Sequence, residues 1–415
     1  MRRRLGIRLA VLAALLSLVG VFPAGASSGP PIPSNDPFYS YSGSVPLVDV
    51  PPGTVLKQRS IEVAFGSTAT PLSAEQLLYR TTGQLGQPRV TVTTVIRPAA
   101  LVPVTNLVEY LSFYDGLGSQ CDPSYTLQGG NPGSVTQQQA EDEELLVNWY
   151  LSNGFTVTVP DFEGTALDWM AGAESGYGAL DALKATESYL RAPLTTPIGL
   201  SGYSGGAVAA DWASELAPHY APHLRIVGVA EGGVPANYSH MIAYMNGSAV
   251  YSAAIPGMLL GLARAYHADL TPYLSAYGQK VVDQESNTCI DEDFGHYPGL
   301  TVQALLKPQY RSFFDVPFFE RILGDQVMGT APTHPQEPLF MAVGNSDGTG
   351  DGAMVAADVQ GLARRYCGEG VPVEFQEYMG ASHEDAGAFF EPQTGVFLQE
   401  RLAGIPFISN CSSIK

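Results

Sequence analysis

The chain has 415 residues, of which 45% are hydrophobic and 15% are charged. This composition supports a large hydrophobic core and excludes both a disordered chain and a small scaffold held together only by disulfides. Acidic residues number 40 against 21 basic ones, and the formal charge of -19 at pH 7 disfavours binding to nucleic acid and to anionic membrane surfaces. No nucleic-acid partner is therefore predicted.

The N-terminal residues have the pattern of a secretory signal peptide. Four arginines within the first eight residues precede an apolar stretch, Leu9–Phe22, which the small-residue cleavage pattern Ala24–Ala26 closes. The apolar stretch has about 14 residues, fewer than the roughly 20 that a membrane-spanning helix needs. We therefore expect residues 1–26 to be a signal peptide and the mature chain to be secreted, without stable insertion into a membrane.

Secretion changes how the four cysteines are interpreted. An oxidising compartment makes disulfides their expected state, and the sequence has no Cys-x-x-Cys pair of the kind that zinc knuckles and redox sites use. Two structural disulfides are predicted. Four cysteines allow three pairings, and the residues alone leave these open.

The predicted elements of the mature chain begin with a segment rich in Ser, Pro and Gly, residues 27–52, which is expected to lie extended along the surface. Alternation then predicts two antiparallel strands, Leu77–Thr82 and Arg89–Arg97. From Leu107 onward, short buried strands alternate with helices, a pattern typical of a parallel sheet. These strands are 107–113, 155–159, 197–202, 225–230 and 339–343, and the helices are 137–151, 179–191 and 206–216.

A long gap separates the last two of these strands. It is too long for a loop, so we expect residues 234–337 to form an inserted, mainly helical cap. Residues 53–233 and 338–415 would then form one α/β core with a mostly parallel central sheet, in a chain that we expect to be a monomer. Aliphatic residues are dense between Met241 and Leu262, where they either line an apolar binding groove or form the core of the cap itself.

The pentapeptide Gly202-Tyr203-Ser204-Gly205-Gly206 lies where a predicted strand meets a predicted helix. A serine on such a sharp turn projects its hydroxyl outward, and only glycine tolerates the crowding two residues before and after it. The pentapeptide alone is a weak signal in a chain with 45 glycines, but its placement makes the signal specific. Ser204 is therefore the predicted nucleophile of a serine hydrolase.

A serine hydroxyl needs a histidine to remove its proton and a carboxylate to orient that histidine. His383 lies in a predicted loop after the strand-like segment Val373–Tyr378, where the chain order serine, acid, histidine puts the base. His219 and His223 have the spacing of a zinc site, but Pro222 lies between them and no catalytic glutamate follows, so they are interpreted as surface residues. The four remaining histidines lie in the predicted cap and are expected to be surface or packing residues.

Two aspartates after the predicted strand 339–343 are candidates for the carboxylate that orients the histidine. Asp347 lies closer to the strand end, whereas Asp351 leads into an apolar pair and then a predicted helix at 356–366. The sequence does not separate them cleanly, although Asp351 is favoured. The string from Asp347 to Asp351 also resembles part of a calcium loop, but the other spaced ligands are missing. No metal and no cofactor are predicted.

Acyl transfer also needs two N–H donors that bind the oxyanion of the reacting ester. One is the amide of the residue after the serine, here Gly205, and the other comes from an earlier loop. The loop 114–118 follows the first buried strand and contains two glycines, so it can turn an amide inward. The backbone amide of Asp115 is the second predicted donor.

Several further motifs make the chain resemble the secretory lipase family, in particular its fungal lipase A type. The resemblance covers most of the mature chain and is far more specific than the pentapeptide alone. It depends on Tyr114-Asp115 with Cys121-Asp122-Pro123-Ser124-Tyr125, on Pro160-Asp161-Phe162-Glu163-Gly164, on the serine pentapeptide, on Glu231-Gly232-Gly233-Val234-Pro235 and on Gly380-x-x-His383.

The resemblance implies an α/β-hydrolase fold with a large helical cap and a Ser–Asp–His triad that maps onto Ser204, His383 and one of the two aspartates. It also implies that Asp115 supplies an oxyanion donor. The acid motif of the family, Gly-x-x-Asp, is stretched here: Asp347 keeps its distance from the strand, whereas Asp351 keeps the family's distance of 16 residues to the next cysteine. The resemblance therefore leaves the acid open.

The same resemblance implies two disulfides, Cys121–Cys289 between core and cap and Cys367–Cys411 between the last helices and the tail. It implies a secreted carboxylic ester hydrolase, similar to triacylglycerol lipases, whose partner is a small-molecule or lipid ester and whose acyl-enzyme forms on Ser204. A secreted serine peptidase or an acyltransferase on the same fold is the alternative enzyme. A non-catalytic binding protein with a relic triad is a third interpretation.

Overall fold

The computed structural model describes residues 29–66, 68–98 and 106–414. The predicted signal peptide, residues 1–26, lies outside these described residues. Residues 29–52 were expected to be extended, but they contain three short 3-10 turns, Pro33–Asn35, Pro37–Tyr39 and Leu47–Asp49. Proline begins the first two turns because its fixed φ fits the first position of a helical turn and its missing N–H is not needed there.

A nine-stranded mixed sheet lies at the centre of the described structure, in the order β1-β2-β3-β5-β4-β6-β7-β8-β9. The pairs β1–β2, β2–β3 and β3–β5 are antiparallel. All pairs that follow in this order, from β5–β4 to β8–β9, are parallel. The strands are β1 (Val55–Phe65), β2 (Thr68–Thr82), β3 (Pro88–Arg97), β4 (Leu107–Leu111), β5 (Thr156–Pro160), β6 (Ile198–Tyr203), β7 (Ile226–Gly232), β8 (Leu339–Asn345) and β9 (Val373–Met379).

Helices cover both faces of this sheet, and the side chains of its central strands are buried between them. The helices are α1 (Pro123–Thr126), α2 (Val135–Ser152), α3 (Gly172–Leu190), α4 (Gly205–Tyr220), α5 (Tyr238–Met245), α6 (Ala254–Ala265), α7 (Ala276–Glu285), α8 (Ile290–Asp293), α9 (Val302–Leu305), α10 (Pro317–Asp325), α11 (Ala356–Glu369) and α12 (His383–Leu402). One hydrophobic cluster unites α3, α4 and α11, and a second unites α2 and α12. The architecture is therefore a three-layered α/β-hydrolase fold.

The segment between β7 and β8 contains α5 to α10, and its described residues form no strand. We call residues 234–337 the helical insertion. The disulfide Cys121–Cys289 joins this insertion to the loop after β4, and Cys367–Cys411 joins α11 to the C-terminal tail. Within the described part of the chain, no helix is long and apolar enough to cross a membrane.

Helix α3 begins at Gly172, seven residues before the predicted start at Ala179. Glycines in its first turns lowered the helical signal of the sequence. They are needed because α3 packs closely against α4: a Cβ on Gly172 or on Gly176 would collide with Trp212. Close packing between the two helices therefore overrides the poor helix propensity of glycine.

The carboxyl ends of parallel strands meet at one edge of the sheet, and polar residues gather there. Ser204 directly follows β6, and Asp115 lies four residues after β4. Asp351 follows β8, and His383 follows β9. These four residues come from distant parts of the sequence, and the topology of the sheet brings them to the same edge.

Candidate active site

Ser204 lies on a strained turn between β6 and α4, with φ 53° and ψ -116°. Side chains other than glycine rarely adopt a positive φ, and this conformation presents the hydroxyl at the edge of the sheet. A Cβ on Gly202 would collide with the carbonyl of Gly206, and a Cβ on Gly206 would collide with the carbonyl of Leu111. The two outer glycines of the pentapeptide are therefore required by sterics.

A continuous chain of hydrogen bonds leads from the serine to a buried carboxylate. The Oγ of Ser204 lies 2.9 Å from Nε2 of His383, and Nδ1 of His383 lies 2.9 Å from Oδ2 of Asp351. The other oxygen of Asp351 accepts the backbone amides of Ala353 at 3.0 Å and Met354 at 2.6 Å. The carboxylate is therefore held in place from both sides, and the imidazole is oriented toward the serine.

The charges around His383 favour its protonated form. Burial by itself lowers the pKa of His383, but the negative charge and hydrogen bond of Asp351 act in the opposite direction. The charges of Glu384 and Asp115 add to the effect of Asp351, and the pKa of His383 is raised above its ordinary value of 6.5. This environment stabilises the imidazolium that forms when the histidine takes the proton of a serine.

Asp347, the other candidate for the acid, does not contact the histidine. Its exposed carboxylate accepts the amides of Thr349 at 2.7 Å and Gly350 at 3.0 Å, and the hydroxyl of Tyr244 at 2.9 Å. These hydrogen bonds to backbone amides lower the pKa of Asp347. The structure thus brings Asp351 to the histidine, whereas Asp347 holds the turn that precedes it.

The predicted oxyanion donors lie beside the serine. Asp115 and Gly205 line the same small cavity as Ser204. Neither the amide of Asp115 nor that of Gly205 donates a hydrogen bond to another group of the described residues. The carbonyl of Asp115 accepts the amide of Ile290, at 3.0 Å, so the helical insertion holds this part of the loop.

The comparison with known proteins identifies the family. The family model described as secretory lipase matches residues 130–410. The chain belongs to the secretory lipase family. It is 33% identical over 394 residues to a protein of Mycobacterium tuberculosis that is named a probable inactive lipase, covering 91% of this chain and 84% of that protein. It is 30% identical over 396 residues to a secreted triacylglycerol lipase of Malassezia restricta, covering 92% and 82%.

Solved structures agree with this family membership. The closed state of Candida antarctica lipase A superimposes with a TM-score of 0.83 at 25% identity, covering 92% of this chain and 89% of that chain. An esterase from Xanthomonas oryzae that degrades the rice cell wall matches with a TM-score of 0.65 at 17% identity, and this second likeness concerns the fold. Together these relatives identify the chain as a carboxylic ester hydrolase of the lipase type.

In this secretory lipase, two tyrosines that the sequence analysis missed contact the candidate triad. The hydroxyl of Tyr203 donates to the backbone carbonyl of His383, and its ring lies 5.1 Å from the imidazole. Tyr251, from the insertion, places its ring 6.2 Å from that imidazole and donates a 2.6 Å hydrogen bond to Glu384. Tyr203 belongs to the pentapeptide and was available as a signal, whereas no local pattern marks Tyr251.

His383 itself was predicted in a loop, but it is the first residue of α12. The hydroxyl of Ser382 accepts the amide of Asp385, and the carboxylate of Asp385 reaches back toward Ser382, which forms a capping box. The start of α12 is therefore well defined, and the helix gives His383 a rigid backbone. The spacing of Ser382 and Asp385 was the sequence signal for this helix start.

Two cavities of the secretory lipase begin at Ser204 and share His383 and Asp115. The wider cavity has a volume of about 500 Å3 and opens between α2 and α12. The narrower one, of about 50 Å3, extends toward the helical insertion. Its apolar lining consists mainly of Trp169, Met170, Met241, Met245, Met258 and Met354. Two cavities of different size therefore meet at Ser204.

The other histidines lie away from this site. His219 and His223 are exposed, as the sequence analysis expected. His240, in the insertion, is exposed and lies 2.9 Å from a carboxylate oxygen of Asp358. Within the residues that the structure describes, no three His, Cys, Asp or Glu side chains form a group that could hold a metal ion.

Proposed function

We propose that the protein is a secreted serine esterase or lipase that hydrolyses fatty-acyl or acylglycerol esters through an acyl-enzyme on Ser204. The observation that carries this proposal is the chain of 2.9 Å hydrogen bonds from Ser204 through His383 to Asp351, at the meeting point of two cavities. Family membership supports the reaction class. The intact chain of hydrogen bonds favours an active enzyme, although one relative is named a probable inactive lipase.

In the proposed mechanism, Asp351 holds the proton of His383 on Nδ1, so that Nε2 accepts the proton of the serine hydroxyl. The Oγ of Ser204 then attacks the ester carbonyl, and the amides of Gly205 and Asp115 donate to the oxyanion. His383 returns its proton to the leaving alcohol as the carbon–oxygen bond breaks. Water, deprotonated by the same histidine, attacks the acyl-enzyme and releases the carboxylic acid.

The narrow cavity supports an aliphatic acyl group as the part of the ester that stays on Ser204. Five methionines line it, Met170, Met241, Met245, Met258 and Met354, and their unbranched side chains adapt to chains of different shape. A hydrocarbon tail gains free energy when it leaves water for such a lining. The aliphatic segment of the insertion therefore contributes both to its own core and to the wall of this cavity.

Secretion is supported by two independent features. The first is the signal-peptide pattern of residues 1–26. The second is the pair of disulfides, which persist in an oxidising compartment and not in a reducing cytosol. The family description and the secreted relative from Malassezia restricta agree with this location.

The test is a Ser204→Ala variant, assayed with p-nitrophenyl butyrate and with a fluorophosphonate probe. We expect hydrolysis to fall by at least about 1,000-fold and labelling by the probe to disappear, because the nucleophile is gone. Ser152→Ala, which changes an exposed serine at the end of α2, is the matched control and should keep both activities. Hydrolysis and labelling that survive in the Ser204→Ala variant would refute the proposed mechanism.

A further inference from the structure

The wider of the two cavities at Ser204 is acidic. Four carboxylates line it: Asp142, Asp291, Glu384 and Glu391. Among the described residues that line this cavity, none is a lysine or an arginine. A positively charged group inside it would therefore meet several negative charges and no repelling cation other than a protonated His383.

The four carboxylates come from three different elements. Asp142 lies on α2 and Asp291 on α8, whereas Glu384 and Glu391 lie on α12. Burial raises the pKa of Asp291 to about 7, and burial together with the charge of Asp142 raises the pKa of Glu391 to about 7. Both groups are thus mostly ionised at pH 8, and the cavity concentrates negative charge in a partly enclosed space.

A fifth carboxyl lies at the floor, where the two cavities meet. The side chain of Asp115 is 4% exposed, and its Oδ1 has no hydrogen-bond partner among the described residues. An unpartnered buried carboxyl oxygen costs free energy unless a ligand or water satisfies it. Asp115 therefore adds a fifth carboxyl to the lining of the wider cavity, next to Ser204.

Aromatic rings also line the cavity, together with aliphatic side chains such as Leu145 and Ile290. Phe113, Tyr203 and Phe294 line the same cavity as the carboxylates. Aromatic faces attract cations, and they attract quaternary ammonium groups in particular because these groups carry charge on an apolar surface. The carboxylates suit the positive charge of a quaternary ammonium group, and the aromatic rings suit its apolar surface.

We propose that the wider cavity receives the alcohol half of the ester and selects it by charge, favouring an alcohol that carries an ammonium group over an uncharged alcohol of the same shape. The acyl half then occupies the narrow, methionine-lined cavity. The same charges disfavour an alcohol that carries a phosphate or sulfonate. This inference rests on the proposed function and adds to it the class of alcohol that the site prefers.

The experiment compares three butyrate esters that differ only in the alcohol, with the full-length protein at pH 8. The alcohols are choline, its uncharged isostere 3,3-dimethylbutanol, and 3-hydroxypropanesulfonate. The kcat/KM of the choline ester is divided by the kcat/KM of the uncharged ester. Because the ammonium group also makes the ester more reactive chemically, this ratio is then divided by the ratio of the rates at which hydroxide alone hydrolyses the two esters. The result is the normalised preference. We expect this normalised preference to be about fivefold or more in low salt, and the sulfonate ester to be the poorest substrate.

Removal of charge tests whether the cavity causes the preference. The double variant Asp142→Asn/Glu391→Gln should lower the normalised preference by at least about threefold, and so should raising the salt from about 20 mM to about 500 mM. Because the preference is a ratio within one enzyme, a general loss of activity cancels. Asp49→Asn, which removes an exposed negative charge in a turn outside the cavity, is the matched control and should leave the preference unchanged.

A normalised preference of one or less in the wild-type enzyme would overturn the inference while the proposed function stands, since the uncharged ester is still hydrolysed. A preference that neither the double variant nor salt reduces would also overturn it. Failure of the wild-type enzyme to hydrolyse any of the three esters would instead contradict the proposed function, and with it this inference.

Discussion

Asp351 and Asp347 lie four residues apart on one loop, yet their carboxylates perform different tasks. Asp351 is 1% exposed and divides its two oxygens between the imidazole of His383 and two backbone amides. Asp347 is exposed and bonds only to its own turn and to Tyr244. An unhydrated carboxylate stabilises an adjacent imidazolium far more than a solvated one, so burial matters as much as distance.

These environments predict different effects for the same substitution. Asp351→Asn should lower kcat by about 1,000- to 10,000-fold, because an amide favours the wrong tautomer of the histidine and removes the charge that stabilises the imidazolium. Asp347→Asn should lower kcat by less than about tenfold, since it weakens only the turn. The measurement is kcat on p-nitrophenyl butyrate, with circular dichroism to verify the fold.

Equal and mild effects of the two substitutions would remove both residues from the role of triad acid. A large effect of Asp347→Asn alone would show that the turn, and not the direct contact with the histidine, limits the reaction. The two variants are matched to each other, because each replaces one aspartate of the same loop by its isosteric amide.

At the scale of elements, the helical insertion is joined to the loop that carries Asp115. The amide of Leu117 donates to the carbonyl of Thr288 at 2.9 Å, and the amide of Ile290 donates to the carbonyl of Asp115 at 3.0 Å. The disulfide Cys121–Cys289 closes the same contact. The insertion therefore holds the backbone of the loop that carries one predicted oxyanion donor.

The two disulfides should consequently differ in their effect on catalysis. In the loop-entropy model they close loops of 168 and 44 residues, which corresponds to stabilisation of ~5 and ~4 kcal/mol. Both double variants, Cys121→Ala/Cys289→Ala and Cys367→Ala/Cys411→Ala, should therefore lower Tm. Only the first should also lower kcat, by about tenfold, because a displaced amide of Asp115 stabilises the oxyanion less well.

The measurement combines Tm from thermal unfolding with kcat at a temperature where both variants are folded. Each double variant serves as the control for the other, since both lose one disulfide. Unchanged kcat in the Cys121→Ala/Cys289→Ala variant would mean that backbone hydrogen bonds alone hold the loop of Asp115. Equal losses of kcat in both variants would contradict a specific role of the insertion.

At the scale of the whole molecule, the formal charge of -19 counts every carboxyl group as ionised. Burial, however, favours the protonated form of many of these groups. Burial raises the pKa of Glu143 and Glu174 to about 8, and burial with the charge of Asp293 raises the pKa of Glu285 to about 9. Glu109 and Glu231 are fully buried, and their oxygens have no hydrogen-bond partners within the described residues. Ionisation of any of these groups inside the protein would cost free energy.

Stability should therefore fall as the pH rises. These folded-state pKa values lie above those of the unfolded chain, so the folded protein binds more protons at any pH between the two values. The contribution of these groups to the free energy of unfolding is therefore largest below about pH 4.5, and it declines as the pH rises toward 8 to 9. Urea unfolding at pH 5 and pH 8 measures the difference, and we expect greater stability at pH 5.

Glu285→Gln isolates one of these groups, because glutamine has the shape of the protonated side chain and cannot ionise. Glu285 is 1% exposed and lies on α7, away from Ser204. The variant should match the wild type at pH 5 and be more stable by over about 1 kcal/mol at pH 8. A stability difference that does not change between the two pH values would contradict the proposed role of this carboxyl.

The sheet and the serine turn were predictable because their signals are local. The pentapeptide from Gly202 to Gly206 places glycine where any Cβ would collide with the backbone, and the apolar strands from Leu107 onward predict a buried parallel sheet. Strand β1 escaped the sequence analysis because it lies at the edge of the sheet, where its mixed side chains are only half-buried. The sequence also pointed to the loop of Asp115, through the position of that loop after the first buried strand.

By itself, then, the sequence determined the resemblance to a lipase family, and it predicted the turn at Ser204 and the order of a serine, an acid and a histidine along the chain. Only the tertiary structure decided which aspartate reaches His383 and where the two cavities at Ser204 lie. The hydrogen bonds of His383 to Asp351 and to Ser204 join residues that are 32 and 179 positions apart in the sequence. They form only if the two side chains are placed to within a few tenths of an ångström, and the packing of the loops on the sheet sets that placement. Spacing along the chain carries no information at that resolution, because a loop of the same length can fold in several ways.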